Sequence, residues 1–576
     1  MVREQIPQRD ATSAPATRRS TAWLQTPGRP GILRRAMLAS IGYGASVAGD
    51  RPWVGICNTW SEFNPCQAHF PRLVAAIKRG VWAAGGFPME FPTMSLHEQF
   101  FTRTTMLYRN LVSMETEELI SALPIDGVVL LGGCDKTIPA QLMAAASADL
   151  PALVVPAGPS LEGCFEGRTV RAGTDATRVW QARASGLMSQ EDVARFEAAL
   201  VPSCGTCAVF GTATTMACLT EALGMTVFGA ATHGAVSAAR DRSAEATGTR
   251  IVDLIRRDVR PSQLMTAASM SNALRVLVAM GGSTNAVIHL RAVAGRLGID
   301  LPLESFDAAG RDTPLLCSVA PNGPNGVGDF DREGGVPALM RELSPLLDVD
   351  VLRPSGRRLT EELATVPRTS GEVIARLERP LRPEGGIAVV RGNLAPDGAV
   401  LKTSAASPGL FQHEGCAVVF DSREDYLRAI GSGGTDIGAD DVLILRNQGP
   451  IGGPGMPEVG QDMLLPPALA RAGITDMVRI TDGRMSGTAF GTVVVHVAPE
   501  AAAGGALGLA RTGDPIRLDV QARELSLAVT AEELASRART DKPRAVPPRP
   551  GYESMYVAHV ESADRGCDFD FLSGRR

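Results

Sequence analysis

Cys134, Asp135 and Lys136 stand side by side in "LLGGCDKTIPA", directly after an apolar run and two glycines. Burying a thiol, a carboxylate and an amine together is costly unless they are paired or bound to something. The triplet therefore implies a ligand. Two more cysteines have comparable surroundings, Cys66 in "NTWSEFNPCQAHF" and Cys207 in "SCGTCAVFGTATTM". Each of the three lies in or beside a Gly/Pro-rich turn, and turns at the carboxyl ends of parallel strands are where open α/β sheets place their ligands. Three thiolates from three loops could hold an iron–sulfur cluster. A [2Fe–2S] cluster held wholly by protein takes four cysteines, so three would leave one iron open to a substrate oxygen. Spacing alone leaves three unrelated buried cysteines as the alternative. Cys204-x-x-Cys207 also admits a redox dithiol or half of a zinc site, although no second such pair completes the zinc site. Cys164, Cys218, Cys317, Cys416 and Cys567 have no ligand-like surroundings.

Oxygen donors form a second set. Asp135 follows Cys134, Glu98 closes "FPTMSLHE" and Glu458 closes "GGPGMPE". Such donors suit Mg²⁺. Lys136 is awkward beside a cation unless CO₂ converts its amine into an anionic carbamate. Finally, "RITDGRMSGTAFG" (479–491) displays Ser486 in a Gly-flanked turn. That hydroxyl could serve as a base only if deprotonated, with a nearby metal as the means. No Gly-x-Ser-x-Gly elbow supports acyl chemistry. Singly, each carboxylate reads equally well as a solvated surface group, and the serine turn as a plain turn.

These groups need a scaffold. At 576 residues the chain exceeds one core, so two or three domains are expected. From about residue 30 to 375, β-branched runs such as "DGVVLLGG" and "LPALVVPAG" alternate with helical stretches such as "PRLVAAIKRGVWAAGG" and "MACLTEALGM". That alternation predicts a parallel sheet covered by helices. "LERPLRPEGG" is a Pro/Gly-rich joint. Beyond it, "GIAVVRGNL", "CAVVFDS", "DVLILRNQ", "MVRITDG" and "GTVVVHVAPE" predict short strands of a barrel or sandwich. The expected division is a disordered tail over 1–29, an α/β domain over 30–380 and a β-rich domain over 381–576 carrying Ser486. "PRAVPPRPGYES" reads as an extended arm suited to packing on a partner.

Composition is ordinary for a globular chain, 44% hydrophobic and 21% charged. A net charge of −5 without a basic stripe gives no case for nucleic acid. No apolar run approaches the roughly 20 residues of a membrane span. Arg18-Arg19 is not followed by the apolar segment of an export signal, so the expected location is cytoplasmic. Ten cysteines without export are thiols or metal ligands sooner than a disulfide framework.

Nine stretches together resemble the dihydroxy-acid and sugar-acid dehydratase family, the IlvD/Edd family, in family order from about residue 30 onwards. They are "NTWSEFNPC", "GGFPMEFPTMSLHE", "GGCDKTIPA", "CAVFGTATTM", "GGSTNAVIHL", "GNLAPDGAVLKTSAAS", "LRNQGPIGGPGMPE", "TDGRMSG" and "HVAPEAAAGG". The resemblance implies a [2Fe–2S] cluster on Cys66, Cys134 and Cys207. It implies Mg²⁺ on Glu98, Asp135, carbamylated Lys136 and Glu458, with Ser486 as the base. The reaction it implies is dehydration of a 2,3-dihydroxy acid to a 2-keto-3-deoxy acid, in a homodimer or homotetramer. The biosynthetic dihydroxy-acid members typically carry "SDG" where this chain has "SLHE". "NTWSEFNPC" and "KTSAAS" are similar to members acting on pentonates and hexonates, such as arabinonate or xylonate. Thr403 and His97 depart from that pattern, where proline and glycine are common, and bear on the substrate. Cys57 and Cys204 are extra thiols, either of which would close the iron if it became a fourth ligand. The rival readings are a branched-chain dihydroxy-acid dehydratase, an electron-transfer iron–sulfur protein and a catalytically inactive family member.

Overall fold

The computed structural model describes residues 18–184, 188–431, 436–460, 462–541 and 547–572. Its first sheet has four strands: β1 (Trp53–Asn58), β2 (Phe87–Pro92), β3 (Gly127–Gly132) and β4 (Ala152–Pro156). All pair parallel, in the order β2-β1-β3-β4. β1, β3 and β4 are buried throughout, and the Val/Leu runs of β3 and β4 are those of strands covered on both faces. Helices Phe70–Ala83, Met106–Ala122 and Thr137–Ala148 make the crossovers. Successive strands are added outward on opposite sides of the β1–β3 pair, β2 beside β1 and β4 beside β3, and such a switch point opens a crevice at the carboxyl ends of those strands. Cys66 follows β1 and Cys134 follows β3, so both loops open into that crevice.

The helix Phe70–Ala83 lies against Ala238–Arg257 at backbone contact distance. A Cβ on Gly80 would sit 1.9 Å from the Glu245 carbonyl oxygen, and one on Gly248 2.2 Å from that of Ile77. Reciprocal glycines make this approach possible.

A short hairpin, β5 (Gly163–Phe165) and β6 (Arg168–Val170), precedes the second unit. That unit is a closed eight-stranded barrel. Its strands are β7 (Ala388–Gly392), β8 (Ala395–Leu401), β9 (Gln412–Phe420), β10 (Val442–Leu445), β11 (Arg479–Thr481), β12 (Val493–Ala498), β13 (Pro515–Asp519) and β14 (Glu524–Leu527), in the order β10-β11-β12-β8-β7-β14-β13-β9. Alternation along β7, β8 and β12 serves two cores. Ala388, Val390, Ala399, Leu401 and Val494 fill the barrel, while Val389, Val400, Val493 and Val495 join the core of the α/β unit. One face of these three strands therefore welds the two units together.

The architecture is the expected one, a parallel-sheet α/β unit followed by a β-barrel, with two departures. The stretch expected as a tail over 1–29 is helical where it is described, over Arg19–Leu24 and from Gly28 to Ser40. The Ser20 amide and hydroxyl donate to the buried Asp126 carboxylate at 3.0 and 2.5 Å, and Trp23 packs 5.4 Å from Trp53. Residues 1–17 lie outside the described residues. At the other end, the stretch expected as an extended arm (543–554) has neither helix nor strand over 547–551 and departs from the expectation only where it enters the helix Tyr552–His559, while 543–546 lie outside the described residues. Tyr552 stacks on Tyr108 at 6.0 Å, Arg109 donates to the Gly566 and Cys567 carbonyls at 2.9 and 2.8 Å, and Arg296 pairs with Asp568 at 2.5 Å. The last described residues thus pack on the α/β unit, and the turn Ala563–Arg565 also meets β8 and β12 of the barrel. Among the described residues no helix is long and apolar enough to cross a membrane.

The joint before the barrel hangs on Glu333. Its carboxylate accepts from the Thr369 and Ser370 hydroxyls and from the amides of Gly371, Val373 and Ile374. Partial burial pushes its pKa up, but these donors outweigh burial and take it down to about 2. A carboxylate depressed in the folded state stabilises above its unfolded value and loses that contribution as pH falls through the folded one. Glu333→Gln should therefore melt below the parent at neutral pH. The gap should close as pH falls from about 4.5 toward about 2, measured by scanning calorimetry of both proteins.

Candidate active site

The thiols arrive on three anchored loops. Cys66 lies in the 3₁₀ turn Pro65–Gln67, and Asn64 beside it donates to the Leu96 carbonyl at 2.9 Å, tying this loop to the one bearing His97 and Glu98. Cys134 follows Gly132 and Gly133, where a Cβ on Gly133 would sit 2.8 Å from both Ala157 and Gln67. The Cys207 loop is bound to the loop after β4, with Thr206 N–H on the Gly158 carbonyl at 2.9 Å. It is also bound to the Cys66 loop, with Gly205 N–H on the Pro65 carbonyl at 3.3 Å.

The ligand atoms of Cys66, His97 and Cys134 all lie within 4.8 Å of one another. Cys207 stands outside that radius but within electrostatic reach of Cys134 and Cys66. The hydrogen-bonded Cys134 thiol, burial, and nearby Cys207 and Asp135 push Cys66 well above the ordinary thiol range. Burial first, then Asp135 and Cys134, push Cys207 up to about 12. Neighbours that raise one another in this way disfavour free thiolates and suit a cationic centre that would neutralise all three. Neither Cys57 nor Cys204 belongs to the close group among the described residues. Cys57 is engaged elsewhere, with Sγ 3.3 Å from the Thr93 hydroxyl.

The oxygen donors converge on Lys136. Its Nζ, wholly buried, lies 3.4 Å from Glu98, 3.5 Å from Asp135 and 3.4 Å from Glu458. Burial works against the ammonium, yet Glu458 and Glu98 outweigh it and push Lys136 above its ordinary value. Glu458 is held down at about 2 against burial by Lys136, Arg484 and Asn285. Asp135 is pushed up by burial and by the other two carboxylates, with Lys136 opposing. Three carboxylates here face two cations, and conversion of Lys136 to a carbamate would leave four anionic groups around one guanidinium. The donor set fits a divalent cation.

Arg484 and Asn285 went unremarked in the sequence. The Arg484 guanidinium, fully buried, pairs with Glu458 at 2.7 Å and donates to the Thr104 hydroxyl at 2.9 Å. The Asn285 amide donates to Glu458 at 2.7 Å and to the Thr212 hydroxyl at 2.9 Å. Both lie inside stretches that carry the resemblance, but nothing local reveals partners so distant in sequence. The loop bearing Glu458 is pinned from the barrel. Asp482 accepts from the amides of Asn447, Gln448 and Ala501 at 3.2, 2.8 and 2.9 Å, and Glu500 from those of Ile451 and Gly452, both at 2.8 Å.

Ser486 is half-buried, its Oγ 3.0 Å from the Thr488 hydroxyl. It stands two residues from Arg484, whose amide and carbonyl bond the Pro457 carbonyl and the Gly460 amide, each at 3.0 Å. The serine turn and the Glu458 loop are thus one unit. Lys402, also unremarked in the sequence, is wholly buried and donates to the Gly487 carbonyl at 3.2 Å.

A barrel docked on a parallel sheet, with thiols and a carboxylate–lysine cluster meeting at the sheet's switch point, has the form of an enzyme active site. The profile of the dihydroxy-acid/6-phosphogluconate dehydratase N-terminal region matches residues 51–362, and that of the C-terminal region matches 372–567. The chain belongs to this family, and it is a dehydratase of the hydro-lyase class. An L-arabonate dehydratase of Azospirillum brasilense is 48% identical over 570 residues, covering 97% of each chain. An L-arabinonate dehydratase of Rhizobium leguminosarum bv. trifolii is 46% identical over 564 residues, covering 98% of this chain and 97% of its own. A 6-deoxy-6-sulfo-D-gluconate dehydratase of Pseudomonas putida is 45% identical over 557 residues, covering 96% of each.

Proposed function

We propose that this chain dehydrates a pentonate or hexonate to the 2-keto-3-deoxy acid. In this reading Cys66, Cys134 and Cys207 hold a [2Fe–2S] cluster, while Glu98, Asp135, carbamylated Lys136 and Glu458 hold Mg²⁺. The observation that carries it is the adjacency of the two donor sets: Cys134 belongs to the thiols, and the next two residues belong to the carboxylate cluster. When bound, the two centres supply Lewis acidity to the acid's oxygens. The chain does the rest. Ser486 Oγ removes the C2 proton, the C3–O bond breaks, the hydroxyl leaves as water and the enol tautomerises to the ketone without net redox change. Arg484 and Asn285 keep Glu458 ionised and aimed, and the Asp482 and Glu500 clamps keep its loop in place. An electron-transfer protein would not need these carboxylates or the serine.

Sugar acids are favoured over branched dihydroxy acids by the names of the similar dehydratases and by the "SLHE" turn. The test is a panel of C4–C6 aldonates with 2,3-dihydroxyisovalerate, assayed anaerobically for 2-keto acid. Turnover of a pentonate or hexonate should exceed that of the branched acid by at least about tenfold in kcat/KM, roughly 1.4 kcal/mol of transition-state discrimination. A pocket that bonds distal hydroxyls leaves polar groups unpaired around an apolar tail. Preference for the branched acid would overturn the assignment.

A further inference from the structure

Lys402 has no structural justification of the usual kind. It follows β8, where alternation places Leu401 in the barrel and Val400 against the α/β unit, so its side chain enters the seam between them. There it is wholly buried, and among the described residues its one side-chain hydrogen bond is to the Gly487 carbonyl at 3.2 Å. Among the described residues no charged group offsets its burial. The elements meeting at the Gly487 turn bring hydroxyls: Ser283, whose Cβ would be 2.8 Å from a Cβ at 487, and Thr488. The guanidinium of Arg382 on the joint bonds the Thr403 carbonyl at 2.8 Å. Burying an amine without a counter-ion is destabilising, and residues that cost stability in a crevice are candidates for function.

We propose that Lys402 sets the charge at the Ser486 turn: its Nζ fixes the Gly487 carbonyl, and as an ammonium it offsets the negative charge that Ser486 acquires on losing its proton. It is a positioning residue, acting through the serine. The pair exchanges one proton, so hydroxyl plus amine becomes alkoxide plus ammonium and no net charge is created in the seam. Once Ser486 has taken the C2 proton, its hydroxyl passes a proton to the departing hydroxide, which leaves as water, and the Lys402 ammonium returns its proton to the serine oxygen, so hydroxyl and amine are both regenerated. Burial brings the Lys402 amine down to about 7, within range of this exchange. The inference rests on Ser486 being the base.

The experiment compares holoenzymes of the parent, Lys402→Met, Lys402→Gln and Ser486→Ala. In the parent, kcat/KM should fall on the acid side with a limb near pH 7, where the amine is already protonated. Lys402→Met should lose that limb and at least about 100-fold in kcat, with KM within threefold and a melting temperature no lower than the parent's. Lys402→Gln keeps a donor for the Gly487 carbonyl without the charge and should be as slow as Met. A Gln variant within threefold of the parent would make the lysine a mere strut, and an acid limb surviving in Lys402→Met would place the titration elsewhere. Either result overturns the inference. If Ser486→Ala keeps parental rate, the serine reading itself falls. If Ser486→Ala is dead while both lysine variants are fast, only the role of Lys402 falls.

Discussion

Serine in place of Cys66, Cys134 or Cys207 should give a colourless protein without dehydratase activity, whereas Cys416→Ser should be brown and fully active. The three cysteines come from loops after β1, after β3 and ahead of the helix Thr212–Ala222, and the thiol nearest to any of them in sequence, Cys204, is outside the close group among the described residues. The Cys134 thiol and burial raise Cys66, and burial with nearby Asp135 and Cys134 raises Cys207, so without a cation here the neutral thiols are favoured over thiolates. Iron reverses that preference by binding the thiolates, and its binding energy is what the crowded arrangement is built to receive. An alkoxide is a far weaker ligand for a cluster than a thiolate, and with three protein ligands in place of four there is no spare. Cys416, exposed on β9, has no part in this. The readouts are the visible spectrum, iron and sulfide content and turnover, all measured anaerobically. Full colour and turnover in any one of the three variants would remove that residue from the ligand set.

His97 sharpens the same experiment. Its ring nitrogen shares the 4.8 Å group with Cys66 and Cys134, a closeness that sequence alone does not show. If His97 and not Cys207 supplied the third ligand, Cys207→Ser would stay brown and a His97 variant would bleach.

What could be read in advance follows from where each signal is stored. Unbroken runs such as Val128–Leu131 and Leu153–Val155 can only be strands covered on both faces, so the parallel sheet was legible. Glycines after β3 marked the crevice for the same local reason. Barrel closure was not legible, because it depends on β9 pairing with both β10 and β13, contacts between segments far apart in the chain. The first helix was missed because its composition is that of a tail, and its order comes from a tie between Ser20 and Asp126 across 106 residues. Within the site, the residue types that bear chemistry announced themselves as candidates, but their grouping rested on resemblance. Glu458 and Lys136 are separated by 322 positions. Arg484, Asn285 and Lys402 stayed silent because a buried cation or amide becomes meaningful only when the barrel docks and shows what it faces.

Arginine at position 136 should abolish dehydration at any bicarbonate concentration while leaving the brown colour intact. Lys136 stands where the three carboxylates converge, so as an ammonium it competes with any metal for the same oxygens. Carbamylation removes that positive charge and adds an anionic oxygen, turning a competitor into a donor. The change leaves one guanidinium, Arg484, against four anionic groups, a balance that a divalent cation restores. Bicarbonate and Mg²⁺ should therefore each tighten binding of the other, and the parent's melting temperature should rise more with both than with the sum of each alone. Arginine cannot shed its charge, so Lys136→Arg keeps the competing cation and should show neither the joint stabilisation nor turnover. Lys136→Glu supplies an anion without CO₂ and should regain stabilisation by Mg²⁺ that no longer depends on bicarbonate. Near-parental activity of Lys136→Arg would eliminate the carbamate. Bleaching of that variant would show that the thiol and carboxylate centres, joined through Cys134 and Asp135, cannot be filled independently.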